Sequence, residues 1–284
     1  MGMESIEVDH LPKLNNPLFI AGFEGWGNAL DISSGMAEYL IQKLDAQPFG
    51  RINPDRFYRF DESRPTADIE DGLLRKVSPP GGEFHATPPG SAERDVIIFK
   101  AAEPSVRWYH FVENVLSLCH KTGVNNIISL GSMYDNVLHT ETVVSALASS
   151  EEILKKLKTR KVTSVNYKGP SAIHTVLQDE AQKRGFECMS LWCHCPYYLQ
   201  GTKHFGLLSH LASLLASWGG FELDTSELES TWKDLSKQIK EIIDKNPEVQ
   251  GMINDLRKAK LKLSMDAVKK TDKIIHLDDV LKTR

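Results

Sequence analysis

The sequence predicts an α/β fold: a three-layer αβα sandwich with a mostly parallel sheet, followed by a C-terminal helical hairpin. Three observations predict it. Short runs that are apolar on both faces, such as Pro17 to Gly22 (PLFIAG), read as strands buried between two layers. These runs alternate with segments of helical period up to Gly219-Gly220, which is how a parallel sheet covered on both sides is written. After Phe221 the composition changes: residues 222–284 carry 13 basic and 13 acidic side chains around a narrow apolar seam.

Taken in order, residues 1–16 are polar and read as a loose arm. Pro17 to Gly22 is a strand, followed by the loop Phe23-Glu24-Gly25-Trp26-Gly27-Asn28. Ala29 to Leu44 is a helix, with Leu30, Met36, Ala37, Leu40, Ile41 and Leu44 at helical spacing. Residues 56–85 change period and read as an antiparallel insertion. Arg56 to Phe60 is a short aromatic strand, and Asp71-Gly72 turns a hairpin between Ala67–Glu70 and Leu73–Val77 before Pro79-Pro80 ends the pairing. Asp95 to Ala101 is a strand feeding a helix from Pro104 to about Lys121.

Strands at Asn126–Leu130, His139–Val144, Val162–Val165 and Phe186–Cys193 follow. They alternate with helices at Ser150–Lys158, Ser171–Arg184 and Lys203–Trp218. The first helix of this group carries Glu151-Glu152 where the dipole favours acids, and Gly185 stops the second. Beyond 221, Leu228, Trp232, Leu235, Ile239 and Ile242 recur at 4-3-4-3 spacing. Pro247 interrupts, and Val249, Ile253, Leu256 and Leu263 resume a similar face. This is a helical hairpin whose seam packs on its own core or on another subunit. Residues 264–284 read as a weakly ordered tail. The expected organisation is thus a core domain over 1–221 and a hairpin and tail over 222–284.

The chain has 284 residues, 41% of them hydrophobic and 25% charged, as in ordinary globular proteins. Its formal net charge of −4 leaves no basic footprint for nucleic acid or an anionic membrane. No stretch is long and apolar enough to span a bilayer, and the N-terminus lacks a signal pattern. Four unevenly spaced cysteines do not form a disulfide framework. The expectation is a cytoplasmic protein with reduced thiols.

Candidate functional residues cluster where predicted strands end. The loop Gly22 to Asn28 has the glycine order G-x-x-G-x-G, neither a dinucleotide nor a phosphate-loop motif, so no nucleotide cofactor is expected. Its glycines serve a tight strand-to-helix turn, or they let Glu24, Trp26 and Asn28 meet a ligand. Glu103, Arg107 and Trp108 sit where a strand feeds a helix, able to grip a planar anion or to form an internal anchor. His139, Tyr167 and Ser171 lie at other strand ends. Cys193-His194-Cys195 puts both thiols on one strand face and His194 on the other. With no further ligand pair in view, no metal is expected, and a complete nucleophile–base–oxyanion set is not visible.

Several segments, in order, resemble one known family. GFEGWGNALDISSGMAEYL resembles the opening of the proteasome-assembly-chaperone family. FYRFDESRPTADIEDGLLRKVSPPGGEF, DVIIFKAAEPSVRWYHFVENVLSLCHKTGVNNIISLGSM, HTETV and YKGPSAIHTVLQDEAQKRGFECMSLWCHCPYYLQG then follow in order, over about residues 15–222, and the R-P-T-x-x-x-E-D-G and E-P-S-x-R-W pieces and the C-terminal hairpin look like its prokaryotic branch in particular. The resemblance implies a sandwich similar to nucleoside phosphorylases and hydrolases. It also implies a non-enzymatic homo-oligomer, trimer or higher, with a chaperone or scaffold role toward a protein client. The alternative it leaves is a binder or enzyme for a nucleoside-like or anionic small molecule at the strand-end crevice. Ring-docking members commonly end in hydrophobic–Tyr–any. This chain ends Leu281-Lys282-Thr283-Arg284, so direct docking through that tail is not expected.

Overall fold

The computed structural model describes residues 4–90 and 93–271, with side chains as far as residue 260. In chain order the strands are β1 (Ile6–Val8), β2 (Leu18–Glu24), β3 (Gln47–Ile52), β4 (Thr66–Glu70), β5 (Leu73–Ser78), β6 (Gly82–Ala86), β7 (Val96–Ala102), β8 (Asn126–Asp135), β9 (Val144–Ala148), β10 (Thr163–Ser164) and β11 (Glu187–Pro196). The helices are α1 (Ile32–Lys43), α2 (Trp108–Lys121), α3 (Glu151–Thr159), α4 (Ile173–Lys183), α5 (Phe205–Gly219), α6 (Ser226–Lys245) and α7 (Pro247–Thr271).

Nine strands form one sheet in the order β1-β3-β6-β7-β2-β8-β11-β9-β10, and β4 and β5 pair separately. The centre, β7-β2-β8-β11, is parallel. Antiparallel strands extend both margins: β6, β3 and β1 on one side, β9 on the other. The buried β2 explains the three layers. Leu18 and Ile20 enter one apolar cluster with residues of α1, α3 and α5, whereas Phe19, Ala21 and Phe23 enter a second with residues of α2 and α4. This two-sided burial is what the unbroken apolar run demands. The chain leaves β2 through α1 toward β3, and returns through β7 and α2 to β8 on the opposite side. That reversal opens a crevice at the carboxyl ends of the central strands. Gly22 permits the close crossing of α1, since a Cβ there would lie 2.4 Å from the Ser33 carbonyl oxygen.

Helices α6 and α7 cover their own chain. Leu228 and Ile239 join the first cluster, and Ile253 is also buried. Trp232 stacks on His204 with ring centroids 4.0 Å apart, in space left by Gly206. Lys260 pairs with Glu141. The seam is therefore largely used within the chain, although Ile242 and Met252 point outward, 64% and 43% exposed. Leu263, assigned to the same seam, lies outside the described side chains.

Several expectations are corrected. The N-terminal arm is tied down, with β1 pairing to β3 and the Ser5 N–H donating to Asn114 Oδ1. Arg56–Phe60 is not a strand. Asn53 Oδ1 accepts from the Asp55 N–H and caps a 3-10 turn at Pro54–Arg56, and Phe57 and Tyr58 are buried beyond it. Hairpin pairing ends at Ser78, just before Pro79-Pro80, but a strand not expected from the sequence, β6, begins at Gly82 and joins β7 and β3. Helix α2 starts at Trp108 rather than Pro104, because Arg107 lies in the left-handed region at φ 55° and breaks the helical run, while the Ser105 and Val106 N–H groups donate to the Phe57 carbonyl. The strand expected at His139–Val144 begins at Val144, and Glu141 holds the preceding turn by accepting from the Leu138 N–H. Residues 264–271 continue α7, whereas 272–284 lie outside the described residues.

Candidate functional site

A cleft of about 610 Å³ lies beyond the carboxyl ends of the central strands. Its floor is Met133 and Tyr134 of β8, Ser145 and Leu147 of β9, and Trp192 of β11. Its rim is the loop Gly25 to Ala29, Val165, Tyr167, Pro170, and the start of α4 at Ala172 and Thr175. Two glycines shape it. Gly131 faces Trp192 across the β8–β11 pair, and a Cβ there would fall 2.7 Å from the indole. Gly27 leaves room for His174. None of these lining residues is a lysine or arginine. Aromatic rings and aliphatic groups dominate, which suits a neutral, flat or apolar occupant rather than an anion.

The structure brings some sequence-selected residues into this cleft. Trp26 and Tyr167 stand at its mouth, 63% and 66% exposed, and the Tyr167 hydroxyl donates to the Pro170 carbonyl. Asn28 lines the wall but is committed to α1: its Oδ1 accepts from the Ser34 N–H at 3.1 Å and its Nδ2 donates to Ser34 Oγ at 2.9 Å. Glu103 ties the rim together. Its Oε1 accepts from the Ile173 N–H at the start of α4 at 2.8 Å, and its Oε2 accepts from the Trp26 N–H at 3.3 Å. That placement also sets a carboxylate at a helix N-terminus, where the dipole favours it. Gly25, at φ 120°, presses against the Glu103 side chain.

Other selected residues are elsewhere. Glu24 is exposed at the end of β2 and is not among the lining residues. Arg107 is the exposed N-cap of α2 in the left-handed region, and Trp108 donates its Nε1–H to the Pro104 carbonyl while packing on the second cluster. Neither lines the cleft. The Ser171 hydroxyl donates to the Ala172 carbonyl at the rim. His139 belongs to a separate cluster, where its Nδ1 and its backbone N–H meet the Tyr198 hydroxyl and its carbonyl accepts from His204 Nε2. Burial, and then the nearby Arg257, lower its pKa.

His194 lies behind the cleft floor with both ring nitrogens engaged. Nδ1 is 2.7 Å from Asp135 Oδ2, and Nε2 is 2.8 Å from Ser145 Oγ. A carboxylate cannot donate, so the ring proton sits on Nδ1 and Nε2 accepts from the serine hydroxyl. Burial alone would raise the Asp135 carboxyl, but hydrogen bonds from His194 and the Asn136 N–H outweigh it and hold the group below the usual carboxylate range. Ser145 and Asp135 escaped sequence reasoning. The three groups come from β9, β8 and β11, and only the pairing register unites them. Cys193 and Cys195 face the first cluster, opposite His194, and burial pushes the Cys195 thiol up to about 12 and Cys193 in the same direction. Such thiols are poor nucleophiles.

Among the described residues, no group of three or more His, Cys, Asp or Glu is arranged to hold a metal ion, and no helix is long and apolar enough to cross a membrane. No curated protein matches the chain. Among solved structures, it is similar to a proteasome-assembly chaperone homologue from Mycobacterium tuberculosis, with 24% identity over 83% of this chain and 99% of that one and a TM-score of 0.72. A protein of unknown function from the same organism is 19% identical over 94% of this chain and 92% of that one, at a TM-score of 0.82. An archaeal proteasome activator from Pyrococcus furiosus is 20% identical over 84% and 98%, at a TM-score of 0.62. These likenesses establish the shared fold. The model of the PAC2 family matches residues 19–243, and the chain belongs to that family.

Proposed function

We propose that the chain is a cytoplasmic, chaperone-like binding protein that works as a homo-oligomer and engages a protein client. This role needs no chemical step. One observation carries it. The β4–β5 hairpin stands apart from the main sheet, and one of its faces, formed by Ala67 opposite Val77 and Ile69 opposite Leu74, is apolar. Ile69, Leu74 and Val77 are 63%, 62% and 54% exposed. A lone two-stranded ribbon is marginal in water, and an apolar face on it calls for a partner surface. The opposite face is more polar, with Thr66 across from Ser78, Asp68 across from Lys76 and Glu70 across from the exposed Leu73. The occupant we assign is a second copy of the chain. The family, together with relatives described as a proteasome-assembly chaperone homologue and a proteasome activator, supports the protein-client part.

Light scattering after size exclusion tests this reading. Wild type is expected as an oligomer, and Ile69→Asp with Leu74→Asp as a monomer whose core melts at the same temperature. A wild-type monomer at tens of micromolar overturns it. The cleft supports a second reading, small-molecule binding, with a neutral aromatic ligand favoured over an anionic one because its lining lacks cationic side chains.

A further inference from the structure

From the hydrogen-bonded line Asp135–His194–Ser145 at the floor of the aromatic cleft, we infer that the protein is a serine-dependent hydrolase for small, neutral, apolar esters. The inference rests on the cleft alone and is independent of the hairpin reading.

The geometry meets the requirements for an activated serine. Ser145 Oγ has His194 Nε2 at 2.8 Å as its partner, and Asp135 fixes the ring through Nδ1 at 2.7 Å. Both distances lie in the range that nucleophile–base and base–orienter pairs need. Ser145 and Leu147 line the cleft, while Val144 and Ala146 point into the opposite core, so strand alternation aims the hydroxyl at the cavity. His194 has the same alternation relative to Cys193 and Cys195. The side chain of His194 is 12% exposed and that of Asp135 45%, so the relay is sheltered at the base and wetter at the orienting carboxylate. A purely structural role would explain a buried histidine with one partner. It does not explain why the serine at the far end of the line is among the residues lining the cleft.

The chemistry balances without a co-reactant other than water. Ser145 Oγ attacks the ester carbonyl carbon and its proton passes to His194 Nε2. The bond to the leaving alcohol breaks, and that oxygen takes the proton from His194. Water then attacks the acyl-Ser145 ester, giving its proton to His194. The acyl–Oγ bond breaks, Oγ regains the proton, and a carboxylic acid leaves. Ser145 and His194 are the catalytic residues in this scheme. Asp135 acts through His194 and is a positioning residue. Trp26, Tyr134, Tyr167 and Trp192 select the apolar acyl or aryl part of the ester.

The test uses the full chain with an alkyl fluorophosphonate, which transfers phosphorus to an activated serine and releases fluoride, and with p-nitrophenyl butyrate. Peptide mass spectrometry is expected to find one adduct, on Ser145. Ester turnover is expected to fall about 100-fold or more in Ser145→Ala and in His194→Gln. Asp135→Asn is expected to lower kcat by a similar factor at unchanged KM, and Asp135→Glu to restore most of it. Wild-type labelling decides between the outcomes even where a variant fails to fold. A native protein with no adduct on Ser145, under conditions that label a known serine esterase, overturns the inference. So does labelling of Ser145 at the same rate in folded His194→Gln, or p-nitrophenyl butyrate turnover unchanged in Ser145→Ala. An unreactive Ser145 in an oligomeric protein leaves the hairpin reading standing, so the two fail separately.

Discussion

His174 lies between the rings of Phe23 and Trp192, with centroids 5.1 and 4.9 Å away, and burial lowers its pKa to about 4. Its Nε2–H donates to the Leu130 carbonyl, and among the described residues its Nδ1 has no hydrogen-bond partner to receive a proton's charge. His204 is lowered to about 4 as well, first by burial. Its Nδ1 accepts from the Leu207 N–H and caps α5, a role a protonated ring cannot fill. Both folded values lie below the ordinary 6.5. The unfolded chain therefore binds protons that the folded chain refuses, and stability present above about pH 6.5 is lost as pH falls toward 4. The loss amounts to about 3 kcal/mol per ring at pH 4. Circular-dichroism melts from pH 7 to 4.5 are expected to show a steady drop in Tm, shallower in His204→Asn, which keeps an acceptor at the cap. A flat profile would refute the assignment. Gly131→Ala is a second residue-scale test. Its new Cβ meets the Trp192 ring, so the variant should lose about 1–3 kcal/mol in urea unfolding and shift tryptophan emission. An unchanged midpoint and spectrum would show that the indole does not lie against β8.

At the scale of elements, α6 docks on the core through the buried Leu228 and Ile239 and through one aromatic contact. Trp232 is half-buried, stacks on His204 and fills the space over Gly206. Trp232→Ala is expected to cost on the order of 2 kcal/mol, less than a fully buried tryptophan would, and to open the α5–α6 contact to hydrogen exchange. Unaltered exchange in α5 and α6 would mean that Leu228 and Ile239 suffice. What the sequence made legible follows from local chemistry. The β4–β5 hairpin is written in Asp71-Gly72, whose φ values of 52° and 76° are both left-handed, as a two-residue turn requires. The central strands and the helices packed on them were legible because each is apolar over its whole length or at helical period. β3 and β6 were not. QPFGRI and GEFHA carry proline, glycine and charge, and β3 is bulged between Pro48 and Gly50. β6 is a strand because β7 offers an edge to pair with, and β3 because β6 then offers the next one, a tertiary cause with no local signature. The cleft was half legible for the same reason. Trp26, Asn28 and Tyr167 sit where strands end, which the sequence marks, whereas Ser145 and Asp135 reach His194 through the register of β9, β8 and β11, which it does not.

For the whole molecule, the separation of surfaces matters most. The apolar face of the β4–β5 hairpin and the cleft share no residue, so assembly and ligand binding can be measured independently. Electrostatics then decides what the cleft accepts. The chain carries a formal charge of −4, and among the described residues no cation lines the cavity, so a phosphate or nucleotide would surrender its hydration without a partner charge there. A neutral ring loses little and gains stacking against Trp26, Tyr167 and Trp192. A ligand at 100 times its Kd adds about 2.7 kcal/mol to the folded state, which for a chain of this size raises Tm by roughly 4–5 °C. Thermal melts with indole or benzamide are expected to move upward, by less in Trp26→Ala, whose ring at the mouth is the most dispensable part of the wall. Inorganic phosphate and adenosine monophosphate are expected to leave Tm where it is. A shift with the anions and none with the neutral rings would reverse the assignment and restore the nucleoside-like ligand, because the binding charge would then have to come from outside the cleft lining.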